Sequence, residues 1–470
     1  MYTYNIPKVK QQNSTFDNGR ALCAASVRFG RDFCLETGIH GFRHIAEPKR
    51  HWFERLLWAA VTCLACYGAV DVSLGQLHRY NDNPTVVTLD KDFRSWRFSL
   101  PAVTICMKNR VDSAKLPEVI KSYWDAETSD ERYENYSRFV HTVANSNLLD
   151  LENYLEFQDE DLNVDLYQLV IDVMPKNEEI KTVSSENAHF KWTPVMTESG
   201  ICYSTNSLAI NDVAIIKANL NDTKAFPITC KYAALSCLML LEVSSESYYY
   251  VHSPYDVLDI TTPPSMVFVF VGLNRVSELS VIETNCGKGV KELTPRRRGC
   301  LYTDEPAAVG KHVYSTNACR LACRSQVAMR ACGCKPFYYF YEGGPQCTVT
   351  GMACLAAFAP QLASIAGIDC SCSPQCMYSF FREVTWADTV WENGPFANKG
   401  SVKYSVQAPR TRYTREIVFH FQDLVVSFGG AVGLFLGASF ISFVEILYFL
   451  LRCCIWILHA ANNQGQINAF

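Results

Sequence analysis

Between Val426 and Phe440 the chain reads "VSFGGAVGLFLGASF". Four glycines, Gly429, Gly430, Gly433 and Gly437, and then Ala438 and Ser439 sit in an apolar run with Asp423 near its start and Glu445 beyond it. Acid, glycine and serine inside an apolar helix are groups that meet cations. Carboxylates attract them, and a helix broken at glycine offers backbone carbonyls in place of an ion's water. Gly429, Gly433 and Gly437 are four apart, so on a helix they rotate by only about 40° per step. In a continuous helix Asp423, Gly437 and Glu445 would fall within about 80° of one another. The same spacing suits plain close packing of helices through small residues, and the residues alone leave both readings open.

Such groups need elements to carry them. Two apolar segments are long enough, since a span takes roughly 20 residues. The first is Leu56 to Leu77, flawed only by Asp71; the second runs from Leu424 to Ile457. As a straight helix the second would be about 50 Å long, so it must tilt, project or break. Residues 1–55 hold nine Lys/Arg against five Asp/Glu, which predicts a cytoplasmic N-terminus rather than a cleaved signal peptide. The tail after the second span then shares that side, and roughly 340 residues between the spans face outside. A net charge of −4 gives no field that calls for nucleic acid. Two spans from one chain cannot enclose a pore, so the ion-path reading requires a closed oligomer.

Fifteen of the 21 cysteines lie between the spans, ten of them in residues 300–376. Their CxC and CxxxC spacings, without histidine, do not suit structural zinc, and a disulfide framework is expected, with pairing open. The odd count leaves one thiol over, and Cys230, Cys237 and Cys286 are not placed as a set. Cys453-Cys454 allow palmitoylation or plain packing. Asn135-Tyr136-Ser137 and Asn221-Asp222-Thr223 are candidate glycosylation sites in the outer segment. Along the chain, "NPTVVTLDKDFRSWRFSLPAVTIC" and residues 201–283 read as strands, residues 118–192 as helix-prone and acidic, and "STNACRLACRSQVAMRACGC" as a helix capped by Ser315, Thr316 or Asn317. Loops rich in Gly, Pro and Cys follow, then a last strand at "SVKYSVQ". The acidic stretch around Asp159 to Asp165 could bind protons or cations, but a solvated helix face is the better account.

An ordered set of landmarks resembles the degenerin/epithelial sodium channel family, most closely its insect pickpocket branch. The set is "IHGF" before the first span, "RYNDNPTVVTL" after it, "LPAVTIC", "GICYSTN", the cysteine cluster, and "YTREIVFHFQDLVVSFGGAVGLFLGAS". The resemblance implies an α+β membrane protein like the acid-sensing channels: a trimer around a central pore, two transmembrane helices per subunit flanking a large disulfide-rich extracellular domain. It implies a selectivity filter at Gly437-Ala438-Ser439 and a re-entrant gating motif at His40-Gly41. It also implies the pairs Cys106–Cys202, Cys300–Cys376, Cys319–Cys372, Cys323–Cys370, Cys332–Cys354 and Cys334–Cys347. Two positions depart from the family. Ser427 stands where acid-sensing relatives carry an aspartate, and Val426 occupies a site where relatives usually have a small residue. A bulkier residue there favours open states.

The expected organisation is a cytoplasmic segment 1–53, a first membrane helix 54–77, an extracellular domain 78–418, a second, interrupted membrane helix 419–457 and a cytoplasmic tail 458–470. The expected protein is a plasma-membrane, sodium-permeable, amiloride-sensitive cation channel subunit with no cofactor, no metal and no catalytic residues. It works as a homo- or heterotrimer with related subunits in the lipid bilayer, opened by an extracellular stimulus. One rival is a two-span ecto-enzyme, for which no catalytic set is found. Another is an ATP-gated two-span channel, for which "PRRRG" (Pro295 to Gly299) is the one candidate basic run.

Overall fold

The computed structural model describes residues 27–91, 93–158, 160, 162, 164–175, 180–184, 190–216, 226–232, 236–261, 265–305, 313–364 and 370–467, with side chains as far as residue 455. It divides into two compact units, Met1–Pro84 with Val418–Phe470, and Thr85–Ile417. In chain order the elements begin with helix α1 (27–36), α2 (Phe42–Ala46) and α3 (Trp52–Asp82). Strands β1 (Thr85–Asp90), β2 (Arg97–Ser99) and β3 (Ala102–Met107) precede α4 (Leu116–Trp124), α5 (Tyr133–Ala144) and α6 (Leu166–Val173). Then come β4 (Lys181–Ser184), β5 (Thr193–Thr197), β6 (Gly200–Thr205), β7 (Thr229–Lys231), β8 (Ser236–Val243), β9 (Ser247–His252), β10 (Ser265–Val269) and β11 (Leu273–Cys286). Four helices follow: α7 (Pro295–Arg298), α8 (Thr316–Cys332), α9 (Val349–Ala356) and α10 (Ala359–Ala363). Last are β12 (Tyr378–Val390), β13 (Gly400–Gln407), β14 (Arg412–Ile417), α11 (Phe421–Leu436) and α12 (Phe440–Ile467).

The unit Thr85–Ile417 is layered. A seven-stranded sheet runs β1-β14-β11-β13-β8-β4, with β12 on the other edge of β11, and a five-stranded sheet runs β10-β9-β3-β6-β5. One core fills the space between the sheets: Val103, Ile105, Tyr249, Val251, Val267 and Val269 meet Met239, Leu241, Leu279, Phe381, Val402 and Tyr404. A second core lies between the five-stranded sheet and the helices, where Cys106, Val195 and Cys202 meet Ile120, Phe139, Leu169, Leu321 and Met352. Strands β3 and β6 are covered on both faces, which is why all six residues of each are buried and neither alternates. By contrast β10 alternates buried and exposed residues, the mark of a one-faced strand.

Helices α4, α5 and α6 form where the acidic stretch was expected to be helical, each burying one face, for instance Phe139, Val140 and Val143 of α5, but the expectation fails at Lys181–Ser184, which is strand β4 paired to β8. The N-cap of α8 is Ser315, whose Oγ accepts the Ala318 N–H at 3.1 Å, and Gly333 ends the helix at φ 72°. Past α8 the expectation of loops needs correcting. Residues 349–363 contain two short helices, and "YSFFREVTWADTV" is a 13-residue strand, paired antiparallel to β11 from Leu273↔Val390 to Thr284↔Tyr378. Its outer half is exposed on both sides of the pleat, so it lacks the apolar alternation by which a strand is read.

Candidate functional site: the helix break and the His-Gly turn

The unit Met1–Pro84 with Val418–Phe470 is built on long apolar helices. Among the described residues, α3 alone is long and apolar enough to cross a membrane. Helix α11 and residues Phe440–Ile455 of α12 meet that test only as a pair, bent by 79°. The start of α11 is fixed by a cap in which the His420 N–H donates to Asp423 Oδ2 at 2.8 Å. Its end is set by Gly437, at φ 60°, whose N–H donates to the Gly433 carbonyl at 2.9 Å. A left-handed residue ends a helix, and glycine adopts that state without the cost a Cβ brings. The chain restarts at Phe440, with the Ser439 N–H donating to Ser442 Oγ at 3.2 Å. A continuous 423–445 helix is therefore not what forms, and the face that Asp423, Gly437 and Glu445 would share on one does not exist.

The turn 37–41 packs into this break. The His40 N–H donates to the Leu436 carbonyl at 3.0 Å, satisfying one of the carbonyls that a helix C-terminus leaves without a partner. The His40 ring lies so close to Gly437 that a Cβ there would overlap Nδ1 and Cε1. Two steps earlier the Gly38 N–H donates to Glu445 Oε2 at 2.9 Å. One step later Gly41 takes φ 90°, and a Cβ on it would fall 2.5 Å from Thr62 Oγ1, on the buried side of α3. Farther along, Phe33 stacks edge-on against Phe449 at 5.2 Å between ring centres.

The structure thus brings together His40, Gly41, Gly433, Gly437, Ala438, Ser439 and Glu445. It does not bring Asp423, Val426, Ser427, Gly429 or Gly430 into this cluster. Val426 is 73% exposed, and a Cβ at Gly429 or Gly430 would meet nothing within 4 Å. Three participants went unread in the sequence: Gly38, Thr62 and Gly68. Gly68 of α3 lets the Phe435 ring approach to 2.7 Å from where a Cβ would stand. A glycine inside an apolar span was the available signal for Gly68; nothing local marks Thr62.

In the other unit the disulfides are Cys106–Cys202, Cys300–Cys376, Cys319–Cys372, Cys323–Cys370, Cys332–Cys354, Cys334–Cys347 and a seventh, Cys230–Cys237. Four of them join α8 and the residue pair just after it to the segments that follow, each of a kind worth about 2–4 kcal/mol. Asn135 lies on α5 with its amide nitrogen donating to Glu160 at 2.9 and 3.1 Å. Asn221, Asp159 and Asp161 lie outside the described residues, and Asp165 caps α6 through the Tyr167 and Gln168 amides. In "PRRRG", Arg298 is buried and spent on the Cys300, Lys291 and Leu293 carbonyls and on Glu305, so it is structural. Beneath the five-stranded sheet Arg324 is held by Glu198 at 2.6 Å and Asp259 at 2.8 Å, all three buried.

Sequence comparison places these features in a known context. The sequence profile of the amiloride-sensitive sodium channel family matches residues 33–449. Pickpocket protein 11 of Drosophila melanogaster is 22% identical over 463 residues, covering 94% of this chain and 79% of the relative. The bile acid-sensitive ion channel of Mus musculus is 21% identical, covering 92% and 87%. Among solved structures, a proton-activated chloride channel aligns at TM-score 0.26 and 7% identity over 84% of this chain and 96% of that one, too distant to bear on the fold. The family is one of sodium-conducting, typically oligomeric plasma-membrane channels and not of enzymes, and the ecto-enzyme reading finds no support. With the match running from α1 to α12 and taking in both the His-Gly turn and the glycine break, the chain belongs to the amiloride-sensitive sodium channel family.

Proposed function

We propose that this chain is a subunit of a trimeric, sodium-permeable, amiloride-sensitive channel opened by an extracellular stimulus, with Gly437-Ala438-Ser439 as its selectivity filter. The observation that carries this reading is the non-helical break itself, with the His40 turn seated against it. Irregular backbone at membrane depth is tolerated where it lines water or is buried in protein. In this reading α3 and the α11–α12 pair are the two spans, both termini are cytoplasmic, and Thr85–Ile417 is the extracellular domain, with Asn135 and Asn221 as its glycosylation candidates. Asp423 and Ser427 then stand at the outer mouth, and Val426 there favours opening. Three copies place the uncovered faces of Gly429 and Gly430 toward one another.

The test is electrical. The chain is expressed alone and with related subunits, and reversal potentials are read in sodium and in potassium, with and without amiloride. A sodium-selective, amiloride-blocked current that changes selectivity with Ser439→Ala is the expected result. A current indifferent to every substitution at 437–439 would remove the filter assignment while leaving the channel class standing.

A further inference from the structure

Fourteen of the fifteen cysteines between the apolar segments are paired, and Cys286 remains as a free, half-buried thiol at the end of β11. It is not isolated. The sulfurs of Cys286, Cys300 and Cys376 all lie within 4.8 Å of one another, and the last two are bonded. The Cys286 thiol donates to the Cys376 carbonyl at 3.4 Å. Cys300, Tyr302 and Cys376 form a small buried core of their own, with Cys286 and Met377 packed on it. With two of the three sulfurs already joined, the trio is not a set of three thiolates for a metal. It is a nucleophile held beside an electrophile. Exchange between a thiol and a disulfide needs only a thiolate, access to the S–S bond and a low barrier to alignment.

We propose that Cys286 exchanges with the Cys300–Cys376 disulfide, making these three residues a covalent switch within the Thr85–Ile417 unit. The Cys286 thiolate attacks one sulfur of the pair. A new S–S bond forms as the old one breaks, and the displaced cysteine leaves as a thiolate and takes up the proton that Cys286 gave up. One disulfide and one thiol stand on each side, so no oxidant or reductant is consumed. The structural consequence follows from position. Cys286 is paired with Arg415 of β14 in the parallel register, and Cys376 lies two residues before β12, which is itself paired to β11. A Cys286–Cys376 bond staples two strands that are already neighbours. It also releases the segment at Cys300, where Arg298, two residues earlier, offers its carbonyl to Arg415 at 2.8 Å.

The test maps bonds and does not depend on whether the chain conducts. Full-length protein in detergent is held at about pH 8, and samples taken over hours are acid-quenched, alkylated and digested without reduction. The expected result is a peptide joining Cys286 to Cys376 or Cys300, with at least about a tenth of the alkyl label moving from Cys286 to the displaced cysteine. A label that stays wholly on Cys286, with Cys300–Cys376 intact throughout, overturns the proposal. Cys300→Ser is the second arm: with oxidised glutathione added, whose disulfide is reduced to two thiols as the protein bond forms, Cys286 should bond Cys376, and a folded variant in which both remain alkylatable overturns it too. If that variant fails to fold, the time course of the unaltered protein decides.

Discussion

At the scale of the residue, Gly437 is constrained twice over. Its φ of 60° costs a side-chain-bearing residue about 1–2 kcal/mol, and the His40 ring occupies the space a Cβ would take. The two causes can be separated. Gly437→Ala should reduce current by roughly tenfold or more at equal surface expression, as strain and overlap act together. Removing the ring with His40→Ala should recover the steric part of the loss and leave the strain. The double variant should therefore lose less than the sum of the singles, the coupling expected of residues in contact. Current normalised to surface biotinylation reads all three, and strictly additive losses would mean that the ring and Gly437 do not touch in the working channel. Gly41 is a parallel case, with φ 90° and Thr62 in the way.

Elements show how much of this was legible in sequence. Composition and length are local quantities, so two apolar segments, a break in the second and a cysteine-rich region between them could be read from residues 56–77, 424–457 and 300–376 alone. A contact between distant parts of the chain leaves no local trace. His40 on Leu436 and Gly38 on Glu445 join positions about 400 apart, and only the family resemblance singled out His40. Cys230–Cys237 escaped because it joins β7 to β8, and seven residues of spacing suit many arrangements. The start of α8 shows what chemistry such hidden contacts create. Asp256, wholly buried, accepts from the Ser315 hydroxyl and from the Asn317 amide at 3.0 Å, and burial pushes its carboxyl up to about 7. An acid whose folded pKa exceeds its unfolded one contributes stability fully below about 3.8, and loses it as pH rises through 7. His252, held neutral by burial with its pKa lowered to about 4, works the other way, losing stability as pH falls from 6.5 to 4. The two slopes oppose each other. Asp256→Asn should raise the thermal midpoint at pH 7 to 8, and should expose the His252 slope as a steeper fall between pH 6 and 4. Thermal melts across that range check it, and an unchanged profile would mean that Asp256 is ionised in the fold.

For the whole molecule the open question is what covers α11. Its first half presents Val426, Gly429 and Gly430 with no neighbour over the glycines among the described residues, while Leu424 and Ala431 on its other side are buried and the helix packs on α3. A polar, glycine-bearing face left bare on an apolar helix has two physical solutions, lipid or a copy of itself around an axis. Lipid would gain nothing from Asp423 and Ser427 on this stretch of helix, and two spans from one chain cannot by themselves surround water. Copies around an axis would place the face where ions pass. The two solutions differ in what Val426→Cys would do. Around an axis, the introduced thiols face one another and the aqueous mouth. Oxidation should then give a disulfide-linked dimer on a non-reducing gel, and a charged, membrane-impermeant thiol reagent applied outside should change the current. Facing lipid, the thiol should react with neither. Labelling without cross-linking would place residue 426 in water but too far from its symmetry mates for a narrow outer mouth, and would move the constriction inward to the break at Gly437.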